Sequence, residues 1–262
     1  MIPATVDYIR AGTVEEALDA LAAPDTKLLA GGQSLLPAMK LRIARPSAVV
    51  DIGALGLDGI EERDGELVIG AMTTWEELER SGTRPALRAI ADCAVSIGDL
   101  QVRNLGTIGG SLAHADPAAD MPAVTIALGA RLTVRSKAGA RTIEAADLAL
   151  GPFMTSLTEG ELITEIAIPL PSEGSGSGYV ALEHPASGFA LAGAAAFVGG
   201  DGTRRVGVTG VAAAPFLLDG DLDDTVLFGD RFAPVEYRRQ LVRTLVDRAT
   251  ALAEQRAKED TK

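Results

Sequence analysis

Three features of this 262-residue sequence predict an α+β fold. Helix and strand signals alternate through the first third, and three apolar runs of strand length near the end precede one long helical pattern. Between them lies a Pro- and Gly-rich stretch, Pro169 to Gly178. With 47% hydrophobic and 23% charged residues, the chain suits one large or two modest globular domains.

The first unit opens at Thr13-Val14-Glu15-Glu16, a capping box in which a hydroxyl and a carboxylate three residues apart satisfy the free N–H groups of a helix start. Val14, Ala17, Leu18 and Leu21 then recur at helical spacing. Lys27 to Ala30 reads as a short strand running into Gly31-Gly32, Leu35 to Leu41 as helical or irregular, and Ala48 to Ile52 as a buried strand. This unit ends near residue 55.

In the second unit, Glu66 to Gly70 is a strand and Thr74-Trp75-Glu76-Glu77 a second capping box, whose helix Gly82 closes after about two turns. Pro85 starts a helix through Val95. After a glycine-rich turn, Asp116-Pro117 supplies an N-cap and first-turn proline for a helix to Leu128, stopped by Gly129. Strands at Arg131 to Arg135 and Leu162 to Ile168 complete the unit.

Pro-Leu-Pro and Gly-Ser-Gly-Ser-Gly have the composition of a flexible connection, which divides the chain into residues 1–172 (parts about 1–55 and 56–172) and 173–262. Tyr179 to Leu182, Ala190 to Val198 and Val206 to Val211 read as a small antiparallel sheet. A terminal helix from near Pro234 places Tyr237, Leu241, Leu245, Ala249 and Leu252 on one stripe, with Arg238, Arg239, Arg243 and Arg248 largely off it.

Composition excludes several functions. A net charge of −12 argues against broad affinity for nucleic acid or an anionic membrane. A single cysteine, Cys93, permits no internal disulfide, four-thiolate iron–sulfur cluster or cysteine-rich zinc site, and His114 and His184 have no ligand spacing, so no protein-held metal is expected. Cys93 falls on the apolar side of its helix and reads as core. Met1 to Arg10 does not read as a secretory signal, and the apolar run Phe189 to Val198 is far short of a membrane span, so a soluble, cytoplasmic chain is expected. Glu61-Glu62 and Asp223-Asp224 read as solvated turns. No Gly-x-Ser-x-Gly elbow is present, and no catalytic acid or base stands out.

Two segments share one design: Ala30-Gly31-Gly32-Gln33-Ser34-Leu35 and Thr107-Ile108-Gly109-Gly110-Ser111-Leu112 each put paired glycines and a polar residue after an apolar stretch. One such pair alone is a tight turn. Two matched loops point to backbone N–H nests that take phosphate oxygens, with Ser34, Thr107 and Ser111 as hydroxyl donors and Asp120 as acceptor for a sugar or ribityl hydroxyl. Neither is a GxGxxG or P-loop fingerprint.

Leu29-Ala30-Gly31-Gly32-Gln33-Ser34-Leu35-Leu36-Pro37 and the run from Arg103 through Thr107-Ile108-Gly109-Gly110-Ser111 to Asp116-Pro117-Ala118-Ala119-Asp120 resemble the FAD loops of molybdenum hydroxylase medium subunits, the carbon monoxide dehydrogenase and xanthine dehydrogenase group. Thr74 to Leu78, Glu161 to Pro169 and Tyr237-Arg238-Arg239 support the match. The resemblance implies a two-part FAD-binding domain of the vanillyl-alcohol-oxidase and UDP-N-acetylenolpyruvoylglucosamine-reductase type, then a small α+β domain of antiparallel sheet and helices. It also implies that residues 30–35 and 107–111 wrap the FAD pyrophosphate and ribityl chain, that Asp120 anchors a hydroxyl, and that Ile97 and Ile163 pack near the flavin.

By the same resemblance, the chain is an electron-transfer subunit. A large partner subunit oxidises substrate at a molybdenum cofactor, a small partner passes electrons through [2Fe-2S] clusters, and the assembly is a dimer of heterotrimers. Two departures stand out. Leu182-Glu183-His184-Pro185 replaces a segment often basic in the family, so His184 reads as a loop residue outside the site. The stretch Ala212 to Phe232 lacks a helix, so the C-terminal domain is expected to be abridged. A self-sufficient FAD-dependent oxidoreductase and a non-catalytic assembly subunit are the alternatives.

Overall fold

The computed structural model describes residues 2–81 and 84–260, so Gly82, expected to close a helix, lies outside the described residues. Short range signals build the first unit, β1 (Asp7–Arg10), α1 (Val14–Leu21), β2 (Thr26–Leu29), α2 (Leu35–Lys40) and β3 (Ala48–Asp51). Its three strands are parallel in the order β1-β3-β2. The Thr13 hydroxyl accepts from the Glu16 N–H, but the Glu16 carboxylate reaches past it to the Gly12 N–H at 2.8 Å, so the second half of the expected box is displaced by one residue. β1 was not expected because all four of its residues are exposed, which removes the apolar alternation that marks a strand.

The second unit runs β4 (Ile60–Arg63), β5 (Glu66–Gly70), α3 (Trp75–Arg80), α4 (Ala89–Ser96), α5 (Leu100–Arg103), α6 (Ile108–His114), α7 (Met121–Ala127), β6 (Arg131–Ser136), β7 (Gly139–Glu144), β8 (Ala149–Gly151), β9 (Met154–Thr155) and β10 (Leu162–Pro169). β4-β5-β10-β6-β7 form one antiparallel sheet, and β8 and β9 pair as a separate hairpin. The box at Thr74 is complete, with Glu77 accepting from the Thr74 N–H and donating its own N–H to the Thr74 hydroxyl.

Some sequence expectations need correction here. Glu61-Glu62 is not a turn: it belongs to the edge strand β4, where Arg63 pairs with Glu61 and Arg84 with Glu62. The helix expected from Pro85 is split into a 3-10 turn, Pro85–Leu87, and α4. Asp116-Pro117 does not open a helix. The Asp116 carboxylate accepts from the Ala118 N–H, Thr209 and Gly210 hold the Pro117 carbonyl, and α7 begins only at Met121. Gly129 ends that stretch as expected, with φ +66.

The third unit comprises β11 (Gly176–Glu183), β12 (Ala190–Val198), β13 (Arg204–Thr209), β14 (Phe216–Leu217) and α8 (Val235–Glu259), its strands ordered β11-β12-β13-β14 and all antiparallel. Much of the supposed connector is packed structure. Gly176 and Gly178 begin β11, and a side chain on Gly176 would overlap the α8 backbone at Ala253. Ala192, Ala194 and Ala196 form a small-residue face that lets α8 approach closely.

The buried stripe of α8 is Arg238, Val242, Leu245, Ala249 and Ala253, with Tyr237 43% exposed, so the expected stripe is rotated. Arg238 can be buried because its guanidinium donates to the carbonyls of Ala233, Leu191 and Gly210 and to Asp230. The other face of the sheet completes the main core through Tyr179, Ala195 and Phe197. Arg205 from β13 donates to the Ala127 and Leu128 carbonyls at the end of α7, and Arg256 pairs with Asp92 of α4. Among the described residues, no helix is long and apolar enough to cross a membrane.

Candidate cofactor site

The fold brings the two glycine segments together. Past β2 the chain turns through Gly31 and Gly32, the latter at φ +73, into α2. A side chain on Gly31 would overlap the Leu105 carbonyl and stand 2.9 Å from the Gly106 Cα, so only glycine allows this approach. Gly106 is itself fitted against the Trp75 indole, where a Cβ would lie 2.6 Å from Nε1. From Gly31 to Leu35, five successive partly buried or exposed N–H groups donate to no protein acceptor among the described residues. Such a run, beside the exposed Ser34 hydroxyl, suits the oxygens of a pyrophosphate.

The second segment is built differently. Gly109-Gly110 is not a loop but the first turn of α6, with Thr107 as its N-cap. Its N–H groups are already used: Ile108 donates to the Thr73 carbonyl at 3.1 Å, Gly109 to that of Ala71 at 2.8 Å, Gly110 to the Thr107 hydroxyl at 3.2 Å and Ser111 to the Thr107 carbonyl. Gly109 therefore serves close packing, since a Cβ there would stand 2.6 Å from the Ala71 Cβ. Gly110 faces Ala30 across the two segments, and Thr107 and Ile108 are buried beneath them.

Ile163 lies on β10 at an irregularity in its pairing with β6, and its neighbour Thr164 accepts from the Ala71 N–H. Ile163 is buried in the main core, whereas Ile97, at the extended end of α4, is half-buried against it. Asp120 occupies the position before α7 without capping it, so the expected place in the first turn is off by one residue.

The Asp120 carboxyl is 8% exposed, and the Tyr179 hydroxyl donates to its Oδ1. Burial pushes its pKa up to about 6 even though that hydrogen bond favours the carboxylate. Burial, then the Asp120 charge, raises the pKa of Tyr179, and burial does the same to the Cys93 thiol, which suits core and not a nucleophile. His184 accepts from the Ala186 N–H and packs its ring on Phe232, 4.6 Å between centroids.

Tyr179, Leu105 and the carbonyls of Ala71 and Thr73 were not identified as site support from sequence. Tyr179 carries no motif, and the carbonyls have no side-chain signature.

Residues 4–171 match the family described as FAD binding domain in molybdopterin dehydrogenase. The 6-hydroxypseudooxynicotine dehydrogenase complex subunit alpha of Paenarthrobacter nicotinovorans is 36% identical, the alignment covering 98% of this chain and 97% of that protein. The carbon monoxide dehydrogenase medium chain of Afipia carboxidovorans is also 36% identical, over 98% and 100%, in an alignment of 287 positions that exceeds this chain's length. Among solved structures, a Cu,Mo-CO dehydrogenase superposes with a TM-score of 0.91 at 35% identity, covering 98% of this chain and 100% of that one. With paired glycine segments, free N–H donors and this similarity along its length, the chain belongs to the FAD-binding medium subunits of molybdenum hydroxylase-type dehydrogenases.

Proposed function

We propose that this chain holds FAD in a cytoplasmic molybdenum hydroxylase complex, taking electrons from [2Fe-2S] clusters of a small partner subunit and passing them to a terminal acceptor. A large partner subunit carries the molybdenum cofactor, and the complex is a dimer of heterotrimers. The observation that carries this reading is the run of unpaired N–H groups from Gly31 to Leu35, held against Leu105 and Gly106. It fits an anionic diphosphate in a chain of net charge −12, where local donors must supply the attraction.

Ala30 to Leu35 bind the pyrophosphate through backbone donors and the Ser34 hydroxyl. Thr107, Ile108 and Gly109 position α6, which presents Gly110 and the Ser111 hydroxyl beside Ala30. Asp120 Oδ2, to which no other described residue donates, accepts from a cofactor hydroxyl, and Ile97 and Ile163 supply apolar contact near the ring. Bound FAD couples single-electron carriers to a two-electron acceptor. No residue of this chain is assigned a proton transfer.

Acid extraction of the purified chain tests the cofactor, with about one non-covalent FAD per chain expected. Anaerobic stopped-flow absorbance then tests the relay: organic substrates reduce the flavin in the three-subunit complex and leave it oxidised in the isolated chain. Rapid reduction of the isolated chain would establish a self-sufficient oxidoreductase instead, and a folded chain that takes no flavin would establish an assembly subunit.

A further inference from the structure

We propose that Tyr179 is the positioning residue through which the C-terminal sheet sets the strength of FAD binding, by fixing one oxygen of Asp120 so that the other remains available to a cofactor hydroxyl. The inference rests on the reading that Asp120 holds FAD. Asp120 makes no capping bond to its own helix, and the local donor that favours its carboxylate is its own backbone N–H. A phenol 59 residues away adds the long-range hold: the Tyr179 hydroxyl, buried on β11, donates to Oδ1, and no other described residue donates to Oδ2. Space for that hydroxyl comes from Gly193 on the adjacent strand, where a Cβ would stand 2.5 Å from the phenol oxygen.

The same sheet also holds the backbone leading to the carboxylate. Thr209 donates its hydroxyl to the Pro117 carbonyl at 3.1 Å and to that of Ala119 at 2.6 Å, and the Gly210 N–H donates to Pro117 at 2.9 Å. A domain without either glycine motif thus orients an acid of the candidate site.

Among the described residues, four titratable groups face Asp120: Tyr179 and Glu183 from β11, Asp116 from the preceding turn and Cys93 from α4. Glu183 and Asp116 disfavour the carboxylate, and the Tyr179 hydrogen bond favours it. Removing the phenol hydroxyl therefore raises the pH at which Asp120 takes up a proton and stops serving as a charged acceptor.

The test is fluorescence titration of apoprotein with FAD from pH 5 to 8, for wild type, Tyr179→Phe, Gly193→Ala and Asp120→Asn. Tyr179→Phe is expected to bind about tenfold more weakly at pH 7, with its acid-side loss of affinity displaced to higher pH. Gly193→Ala, which pushes the hydroxyl aside, shifts the midpoint in the same direction, and Asp120→Asn has no midpoint. Unchanged affinity and midpoint in Tyr179→Phe would overturn the proposal, as would a uniform loss at every pH, the mark of a merely structural role. Should Tyr179→Phe fail to fold, the Gly193→Ala midpoint decides. Absence of FAD binding by folded wild-type protein would instead overturn the cofactor reading itself.

Discussion

Gly31 abuts Leu105 so closely that a methyl group on it would overlap the Leu105 carbonyl. This contact joins the first unit to the segment entering α6 and holds the unpaired N–H run in place. Gly31→Ala is expected to destabilise the chain by about 1–3 kcal/mol through overpacking, because the obstacle is backbone that no rotamer change relieves. FAD retention falls at least about tenfold, by the conversion of 1.4 kcal/mol per decade. Urea unfolding and flavin content of the same preparation measure both.

The two glycines of α6 are expected to respond differently. Gly109→Ala drives a Cβ to within 2.7 Å of the Ala71 carbonyl oxygen, a backbone clash that costs roughly 1–3 kcal/mol. Gly110→Ala meets the Thr107 hydroxyl at 2.8 Å and makes an ordinary contact with the Ala30 Cβ at 3.6 Å. Its gain in helix propensity, about 1 kcal/mol, offsets a weakened N-cap of about the same size, so its midpoint in urea stays near wild type. Equal destabilisation by both would show that Gly109 is not the packing contact.

Asp120 gives the apoprotein and its cofactor affinity opposite pH dependence. Its pKa stands at about 6 in the fold against 3.8 ordinarily, so between these values the folded chain binds more protons than the unfolded one. The associated stability is full below pH ~4 and is lost as pH rises through about 6, roughly 3 kcal/mol in all. Asp120→Asn removes this slope, raising apoprotein stability at pH 8 while weakening FAD by about one to two decades. Chemical denaturation at pH 5 and pH 8, with and without FAD, separates the two effects.

Arg238 is 3% exposed and bonded to three carbonyls and Asp230. Arg238→Ala is expected to cost about 3–5 kcal/mol, since it strands buried acceptors and the one retained acid. Arg243→Ala, at a position outside the buried stripe, is expected to change stability by less than about 0.5 kcal/mol. Thermal unfolding of the two variants checks the contrast.

From sequence alone, elements with local causes were legible. Thr74 and Glu77 lie three residues apart and cap α3 without outside help, β5 follows its apolar run from Glu66 to Gly70, and Gly129 ends α7 by its own backbone freedom. The glycine segments identified the family for the same reason, being contiguous and unusual in composition. Edge strands β1, β4 and β7 were not legible, because hydrogen bonding to neighbouring strands holds residues that bury little. Only tertiary structure decided that Gly31 meets Leu105, that the Gly109 N–H is used by Ala71, that Arg238 faces inward and that Tyr179 grips Asp120. Each depends on groups distant in sequence, and a buried polar side chain or a backbone donor takes its role from the partner packed against it.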